Sequence, residues 1–361
     1  MSLYDDLRLK LPQLDIRQNS PLAPYTTLRI GGPAECLVVV TKQSELFSIL
    51  KFISQQIVDC KLKIEDFRIL GKGSDLVISD SGLPGLTIIN RASQIHIHPK
   101  VEMINGSTKN DKFSPISTQR NENEPEKYLD FGKIDYDESG LPTQLVTLQA
   151  GTPLPFAINQ LLNEGLTGLQ WFAYIPGTVG GAVYQNIHGG KYHFSDYIDS
   201  IKTFNLKTGK TQLFKKTDLN WHYETSFFQS NYHLIILSAT LRLFRGDANL
   251  ARQVTTAWIA QKTKVQPMNS AGSVFANPSP EICQKIWGEQ KSAGWIIDHE
   301  LGWKGKAIGG AQISPLHSNF IVNTGTATAK DYHSLVKQII AEVKTRFDFE
   351  LIPEIKFLGQ I

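Results

Sequence analysis

Apolar positions along this chain change period repeatedly, and the changes mark a mixed helix and strand order. Leu46, Phe47, Ile49, Leu50 and Ile53 share one helical face, so residues 43–56 predict an amphipathic helix. Residues 36–40, 67–70 and 86–90 are short, nearly unbroken apolar runs, as strands covered on both faces are. Residues 198–205, 211–214 and 234–244 alternate like strands, with Lys207-Thr208-Gly209 as a hairpin turn. Residues 145–150, two segments beyond Gly302 and 350–358 also read as strands. Further helices are predicted over 3–11, 153–164 (stopped by Gly165), 249–264, from Pro280, near 291–299 and over 329–347, the last capped by Thr328. Residues 21–34 read as an extended segment ending in a Gly-Gly-Pro turn. The β-α-β-loop-β order of the first hundred or so residues describes a compact α+β unit.

Between 96 and 140 the pattern lapses. N-G-S-T-K-N-D-K and Q-R-N-E-N-E-P-E-K offer little to bury, so 100–126 read as an exposed insertion or mobile loop. His96 and His98 alternate with isoleucines and read as exposed strand histidines, since no third ligand is close in sequence.

Two glycine-rich stretches interrupt the apolar runs: L-G-K-G-S-D-L-V-I-S-D at 70–80 and Y-I-P-G-T-V-G-G-A-V-Y-Q-N-I-H-G-G at 174–190. Gly177, Gly180 and Gly181 allow positive φ and close approach, and their N–H groups could point outward together as an anion cradle. Either stretch alone could be a tight turn. As a pair they predict one extended, phosphate-bearing ligand held between them. Neither shows the Rossmann order of G-x-G-x-x-G directly after the first strand. Arg29, between apolar residues ahead of the Gly-Gly-Pro turn, reads as a surface strand residue or as a phosphate partner.

Composition narrows the class. The chain has 361 residues, enough for two or three domains, and a net charge of only +3 with scattered basic residues, so no nucleic-acid surface is indicated. Cys36, Cys60 and Cys283 fit no zinc or redox spacing and suggest a reducing compartment. No apolar run spans a membrane, and charges run through the first twenty or so residues. The expected location is cytoplasmic, and nothing demands more than a monomer.

Seven segments, in order, resemble one family: P-L-A-P-Y-T-T-L-R-I-G-G-P-A, G-K-G-S-D-L-V-I-S-D, I-P-G-T-V-G-G-A, G-S-V-F-A-N-P, A-G-W-I-I-D, G-W-K-G-K-A-I-G-G-A-Q-I-S-P-L-H-S-N-F-I-V-N and L-I-P-E-I-K-F-L-G. They resemble the UDP-N-acetylenolpyruvoylglucosamine reductase (UDP-N-acetylmuramate dehydrogenase) family, in its shorter type. The resemblance implies an α+β, vanillyl-alcohol-oxidase-like FAD-binding fold of two subdomains plus a smaller α+β substrate-binding domain. Residues 1–95, rejoined by 337–361, would form the first subdomain, 96–245 the second and 246–336 the substrate domain. NADPH would reduce FAD, and UDP-N-acetylglucosamine enolpyruvate would then be reduced to UDP-N-acetylmuramate for peptidoglycan synthesis.

The resemblance also implies site residues. Gly71, Lys72, Gly73, Ser74, Asp75 and Leu76 with Ile175, Pro176, Gly177, Thr178, Gly180, Gly181, Ala182 and Asn186 would hold FAD, with Arg29 answering a phosphate. Ser273 would be the proton donor and Glu354 the catalytic carboxylate. Asn277, Lys304 and His317 would touch the substrate. On its own, Ser273 reads as a turn residue, Lys304 as a solvated turn lysine, His317 as a loop histidine, and Glu354 as either an edge-strand or a functional carboxylate. Two departures stand out: Glu224 occupies the place of the family's arginine in Tyr-Arg-x-Ser, and Ala276 replaces a lysine. In the first loop Asp75 stands for the common asparagine, and an ionised carboxylate beside a pyrophosphate is unfavourable. A carboxylate at 224 repels a developing enolate unless it is protonated or turned away. The alternatives are therefore a catalytically weakened paralogue that binds FAD or a nucleotide sugar, and a flavin oxidoreductase acting on another substrate.

Overall fold

The computed structural model of the chain describes residues 2–99 and 136–361, so the expected insertion at 100–126 lies outside the described residues. The first unit comprises α1 (Leu3–Lys10), β1 (Asp15–Pro21), β2 (Pro33–Val40), α2 (Gln43–Val58), β3 (Phe67–Leu70), β4 (Leu76–Ile78) and β5 (Leu83–Asn90). Its sheet runs β1-β2-β5-β3, with β1 antiparallel to β2 and the other pairs parallel. The continuous apolar run of β2 follows from burial on both faces. Cys36, Val38 and Val40 pack with α2, and Leu37 and Val39 pack on the opposite side with Ile78 and Leu83.

The second unit is an antiparallel sheet ordered β9 (Lys210–Lys215), β8 (Ile198–Asn205), β10 (Leu234–Arg245), β7 (Thr143–Gln149) and β6 (Ile95–Ile97). Two helices, α3 (Leu154–Asn163) and α4 (Val179–Gln185), share its core with Phe172, Phe194 and Phe244. Phe204, Leu206 and Leu237 of this unit join the α2 cluster, where the Ser54 hydroxyl also donates to the Leu206 carbonyl at 2.7 Å. The two sheets are thus cemented through α2.

The remainder contains α5 (Ala248–Val265), α6 (Pro280–Trp287), a helical run from Ala293 to Glu300, and the three-stranded sheet β11 (Ala307–Ile308), β12 (Ala311–Ile313) and β13 (Ile321–Asn323). On it lies α7 (Ala329–Phe347), burying Tyr332, Leu335, Val336, Ile339 and Val343 at helical spacing. This helix crosses position 336, so a division of the chain there cuts one element whose two halves face the same core. The terminal strand β14 (Lys356–Leu358) returns to pair in parallel with β4.

Four elements differ from the sequence expectation. Residues 15–21 form an edge strand that has only Ile16 as an apolar periodic signal. Residues 21–34 are not simply extended: they fold through a 3-10 turn at Ala23–Tyr25, and Arg29 sits off any strand at φ +58°. Gly180 and Gly181 lie inside the helix α4 rather than in a loop. The terminal strand covers only the last third of the expected 350–358.

Candidate active site

A cavity of about 3050 Å³ opens between the three parts of the molecule, and every site residue expected from the sequence lines it. Ordinary small-molecule sites enclose roughly 300–1,000 Å³. This one has room for an extended cofactor and a second ligand.

The first glycine loop connects β3 to β4. Among the described residues, no protein group accepts from the N–H groups of Lys72, Gly73 or Ser74, and Gly73 takes φ +56° against the Tyr25 carbonyl. The second glycine stretch behaves differently. The N–H groups of Gly177, Val179 and Gly180 bond the carbonyls of Ile175, Thr152 and Ala150, and that of Gly181 bonds the Thr178 hydroxyl. The expectation of positive φ and an outward N–H cradle at 177, 180 and 181 is therefore corrected: none of these glycines has positive φ, and their donors are spent on the Ile175 and Ala150 carbonyls and on the Thr178 hydroxyl that caps α4. Of these N–H groups, those left without an acceptor among the described residues belong to the first loop.

The glycines of the second stretch act through space instead. A Cβ on Gly180 would stand 3.0 Å from the Ala150 Cβ, and one on Gly71 would stand 2.3 Å from the Thr178 hydroxyl oxygen, so both are needed for protein packing and the two loops touch. At Gly177 and Gly181 the nearest protein atoms are 3.8 and 3.7 Å away. Alanine would fit the protein at both, yet both face the cavity. That is the shape of a cradle for a bound group. Ile175, Pro176 and Ala182 continue this wall beside them, and Leu76 and Arg29 line the side nearest the first loop. The Arg29 guanidinium donates to the Pro24 carbonyl at 3.1 Å and is otherwise exposed. Asn186 is already engaged: its amide donates to the His222 carbonyl at 2.7 Å and accepts from the Ser195 N–H at 3.0 Å. It fixes the wall rather than offering a free group.

The segments carrying Ser273 and Glu354 are joined by a short backbone ladder. The Glu354 N–H donates to the Val274 carbonyl at 2.9 Å, and the Ala276 N–H to the Ile352 carbonyl at 2.9 Å, around an antiparallel bridge between Phe275 and Pro353. In such a non-hydrogen-bonded pair the inner N–H groups are not used, so a proline at 353 costs the ladder nothing. Phe275 is fully buried and Asn319 bonds its N–H and carbonyl at 3.0 and 2.8 Å, which anchors the strand carrying Ser273. Glu354 therefore sits beside the 273–276 segment in this ladder, not in the terminal strand, which begins at Lys356. Both side chains line the cavity, and no described residue hydrogen-bonds the Ser273 hydroxyl.

The carboxyl groups of the site form a cluster. Glu354 is in hydrogen-bonding contact with Glu224; burial first, then the Glu224 charge, push it up to about 8. Burial opposes ionisation of Glu224 too, but the His188 ring, whose Nδ1 lies 3.3 Å from the Glu224 carboxylate, together with the Glu354 hydrogen bond and the Lys356 charge holds that group below the usual range. Asp75 faces α4 and takes a hydrogen bond from the Gln185 amide. Burial pushes it up to about 7, which relieves the clash of an acidic residue with an anionic ligand. His188, Gln185 and Lys356 were not singled out from sequence. Only I-H-G-G inside the second glycine stretch hinted at the first of them.

On the far wall, the Asn277 side chain accepts from the Ala293 N–H at 3.0 Å, and Lys304 pairs with Asp298 at 2.7 Å. His317 accepts from the Asn319 N–H at 3.1 Å and packs over Gly294; burial pushes it down to about 4, so it is a neutral ring at ordinary pH. Among the described residues no cluster of His, Cys, Asp or Glu is arranged to hold a metal ion.

Comparison with known proteins agrees with this geometry. Residues 263–358 match the family model for the UDP-N-acetylenolpyruvoylglucosamine reductase C-terminal domain, and residues 129–214 match that for an FAD binding domain. The chain is 33% identical over 350 residues to a UDP-N-acetylenolpyruvoylglucosamine reductase of Parasynechococcus marenigrum (strain WH8102), covering 96% of this chain and 97% of that one. It is 34% identical over 353 residues to the protein of that name in Synechococcus sp. (strain CC9311), covering 95% and 93%. The crystal structure of UDP-N-acetylenolpyruvylglucosamine reductase from Thermus caldophilus superposes with a TM-score of 0.65 at 25% identity, over 96% of this chain and 99% of that one.

Proposed function

Since the chain belongs to the UDP-N-acetylenolpyruvoylglucosamine reductase family, we propose that the wall joining Ser273 to Glu354 is where its substrate is reduced. The protein is an NADPH-dependent FAD oxidoreductase that converts UDP-N-acetylglucosamine enolpyruvate to UDP-N-acetylmuramate in peptidoglycan precursor synthesis. Its fold is the α+β FAD-binding fold with an added substrate unit. The observation that carries the site assignment is the ladder joining the 273–276 segment to 352–354, which holds both backbones on the wall of the cavity that both glycine stretches line.

The residues present fit FAD: unpaired N–H groups at 72–74 suit a pyrophosphate, and Gly177 and Gly181 leave room on the facing wall. Held by these residues, FAD would supply hydride transfer from NADPH to the enolpyruvyl group. Negative charge then develops on the carbon beside the substrate carboxylate and on that carboxylate. Ser273 protonates the carbon. A serine is a weak acid, so it works by position against a strongly basic carbanion, with no acceptor among the described residues competing for its proton. Glu354 faces the carboxylate end. Lys304, already paired with Asp298, and Asn277 meet the nucleotide sugar, and neutral His317 closes that side as a hydrogen-bonding ring. Arg29, with a mostly exposed guanidinium at the first loop, answers a phosphate.

Residues 1–95 with the terminal strand act as the first FAD-binding subdomain, 96–245 as the second, and the segment from 246 as the substrate unit. We place the enzyme in the cytoplasm as a monomer without a nucleic-acid or membrane partner. The net charge of +3 speaks only against a nucleic-acid partner, and no helix among the described residues is long and apolar enough to cross a membrane.

Anaerobic stopped-flow spectroscopy of the purified yellow protein tests the reading. NADPH bleaches the flavin, and the enolpyruvyl substrate restores its colour. Bleaching that this substrate cannot reverse assigns a different acceptor, and a protein that never bleaches is a binding paralogue.

A further inference from the structure

Glu224 occupies a costly backbone position. It forms, with Tyr223, the connection of a small hairpin between Trp221–His222 and Thr225–Ser226, and its φ of +49° is one that glycine or asparagine normally takes. The surroundings fix it there. The Gln229 amide donates to the Glu224 carbonyl at 3.0 Å and to the Tyr184 carbonyl at 3.1 Å; the Ser226 hydroxyl donates to Tyr184 at 2.6 Å. The Asn186 amide holds the preceding His222 carbonyl, and the Tyr223 ring lies against His188 with centroids 5.0 Å apart. So constrained, the Glu224 carboxyl meets His188 on one side and Glu354 on the other.

Two ionised carboxylates are acceptors only and cannot hydrogen-bond to each other. Contact between Glu224 and Glu354 therefore requires one proton in the pair. His188 donates to Glu224 and so favours charge there, which leaves the proton on Glu354. Among the described residues, the charged and titratable groups facing the pair are His188, His193, Asp75 and Lys356. We infer that Glu224 and His188 are a positioning pair that keeps the proton on Glu354, whose single O–H turns from Glu224 to the substrate's carboxylate when that carboxylate is bound. The inference rests on the reductase reading, because it is the enolpyruvyl carboxylate that a bare acidic wall would repel. Glu354 keeps its proton throughout; the hydride and the Ser273 proton complete the product, and the pair only stabilises the charge that appears between those events.

The test has two arms. In the first, substrate-driven re-oxidation of the reduced flavin is followed against pH. The wild type holds a plateau at neutral pH and falls as pH passes about 8, where Glu354 loses its proton. Glu224→Gln removes the like charge, so the fall moves to lower pH by about one unit. Glu224→Asp keeps the charge and restores the fall toward its original position. His188→Ala frees Glu224 to take the shared proton and lowers the plateau itself. In the second arm, infrared difference spectra of the resting holoenzyme read a protonated-carboxyl band, which is lost in Glu354→Gln and titrates earlier in Glu224→Gln. An unchanged pH profile and an unchanged band in Glu224→Gln overturn the inference. A wild type that NADPH bleaches but the enolpyruvyl substrate never re-oxidises overturns the reductase reading instead, and the infrared arm still decides the pair.

Discussion

At the residue scale the glycines divide by what a methyl group would meet, and the division is measurable. Gly71→Ala drives a Cβ into Thr178 and costs stability, about 1–3 kcal/mol, by overpacking. Gly181→Ala meets only the Thr178 hydroxyl at an ordinary contact distance of 3.7 Å and replaces a poor helix former inside α4, so the apoprotein gains up to about 1 kcal/mol in urea unfolding while FAD affinity falls. A second prediction concerns Ser273→Ala: bleaching by NADPH continues, and substrate-driven re-oxidation slows by about 10²–10⁴ in stopped flow. A third follows from Glu354. Its folded-state carboxyl titrates above the unfolded value, so the native state binds the extra proton between about pH 4.5 and 8, and stability falls as pH rises across that window. Glu354→Gln removes the effect, so its unfolding midpoint exceeds the wild type's most at pH 8, by about 1 kcal/mol or less given screening by water in the open cavity, and the difference shrinks toward pH 5. Residue identity made Ser273, Glu354 and the odd Glu224 legible from motifs. His188, Gln185 and Lys356 were not, because their relevance comes from a hairpin, a helix face and a returning strand meeting in space.

Elements were legible where one face is buried and illegible where tertiary contacts supply the order. The periodic helices and the apolar strands β2 and β5 stand close to their expected bounds, since burial alone dictates them. Strand β1 is polar and survives by backbone pairing at the sheet edge, which leaves little pattern to read. Helix α4 hides behind glycines because its stability comes from Val179, Ala182 and Val183 packing into the second core rather than from propensity. The start of α7 shows how far such support can reach. Besides the capping box of Thr328 and Asp331, the Asp80 carboxylate accepts from the N–H groups of Ala329 and Lys330 at 2.8 and 3.0 Å. Asp80 closes the first glycine motif, so one side chain ties that motif to the substrate unit. Asp80→Ala is expected to cost about 1–2 kcal/mol by chemical denaturation. In hydrogen exchange its effect should concentrate at the first turn of α7.

For the whole molecule, the cavity is bounded by three parts whose cores share residues at their borders. The first and substrate units are tied by the Thr27 hydroxyl on the Ser270 carbonyl at 2.7 Å, the Asn323 amide on the Leu28 carbonyl at 3.0 Å, and Leu28, Ile30 and Val77 entering the α7 core. The two glycine stretches meet through Gly71 and Thr178. A space of this size filled only with solvent gives up the contacts a ligand would make with all its walls at once, so the cofactor should act as a fourth structural member. Ligand linkage sets the scale: at free FAD about a hundredfold above its dissociation constant, the holoprotein gains about 2.7 kcal/mol over the apoprotein. The gain should appear in the unfolding midpoint as the flavin is stripped and restored. Gly181→Ala should blunt it without lowering apoprotein stability, because that methyl group fills the space kept for the ligand. Equal midpoints for apo- and holoprotein would mean that the cavity walls hold each other without the cofactor, and that the open wall at Gly177 and Gly181 serves something else.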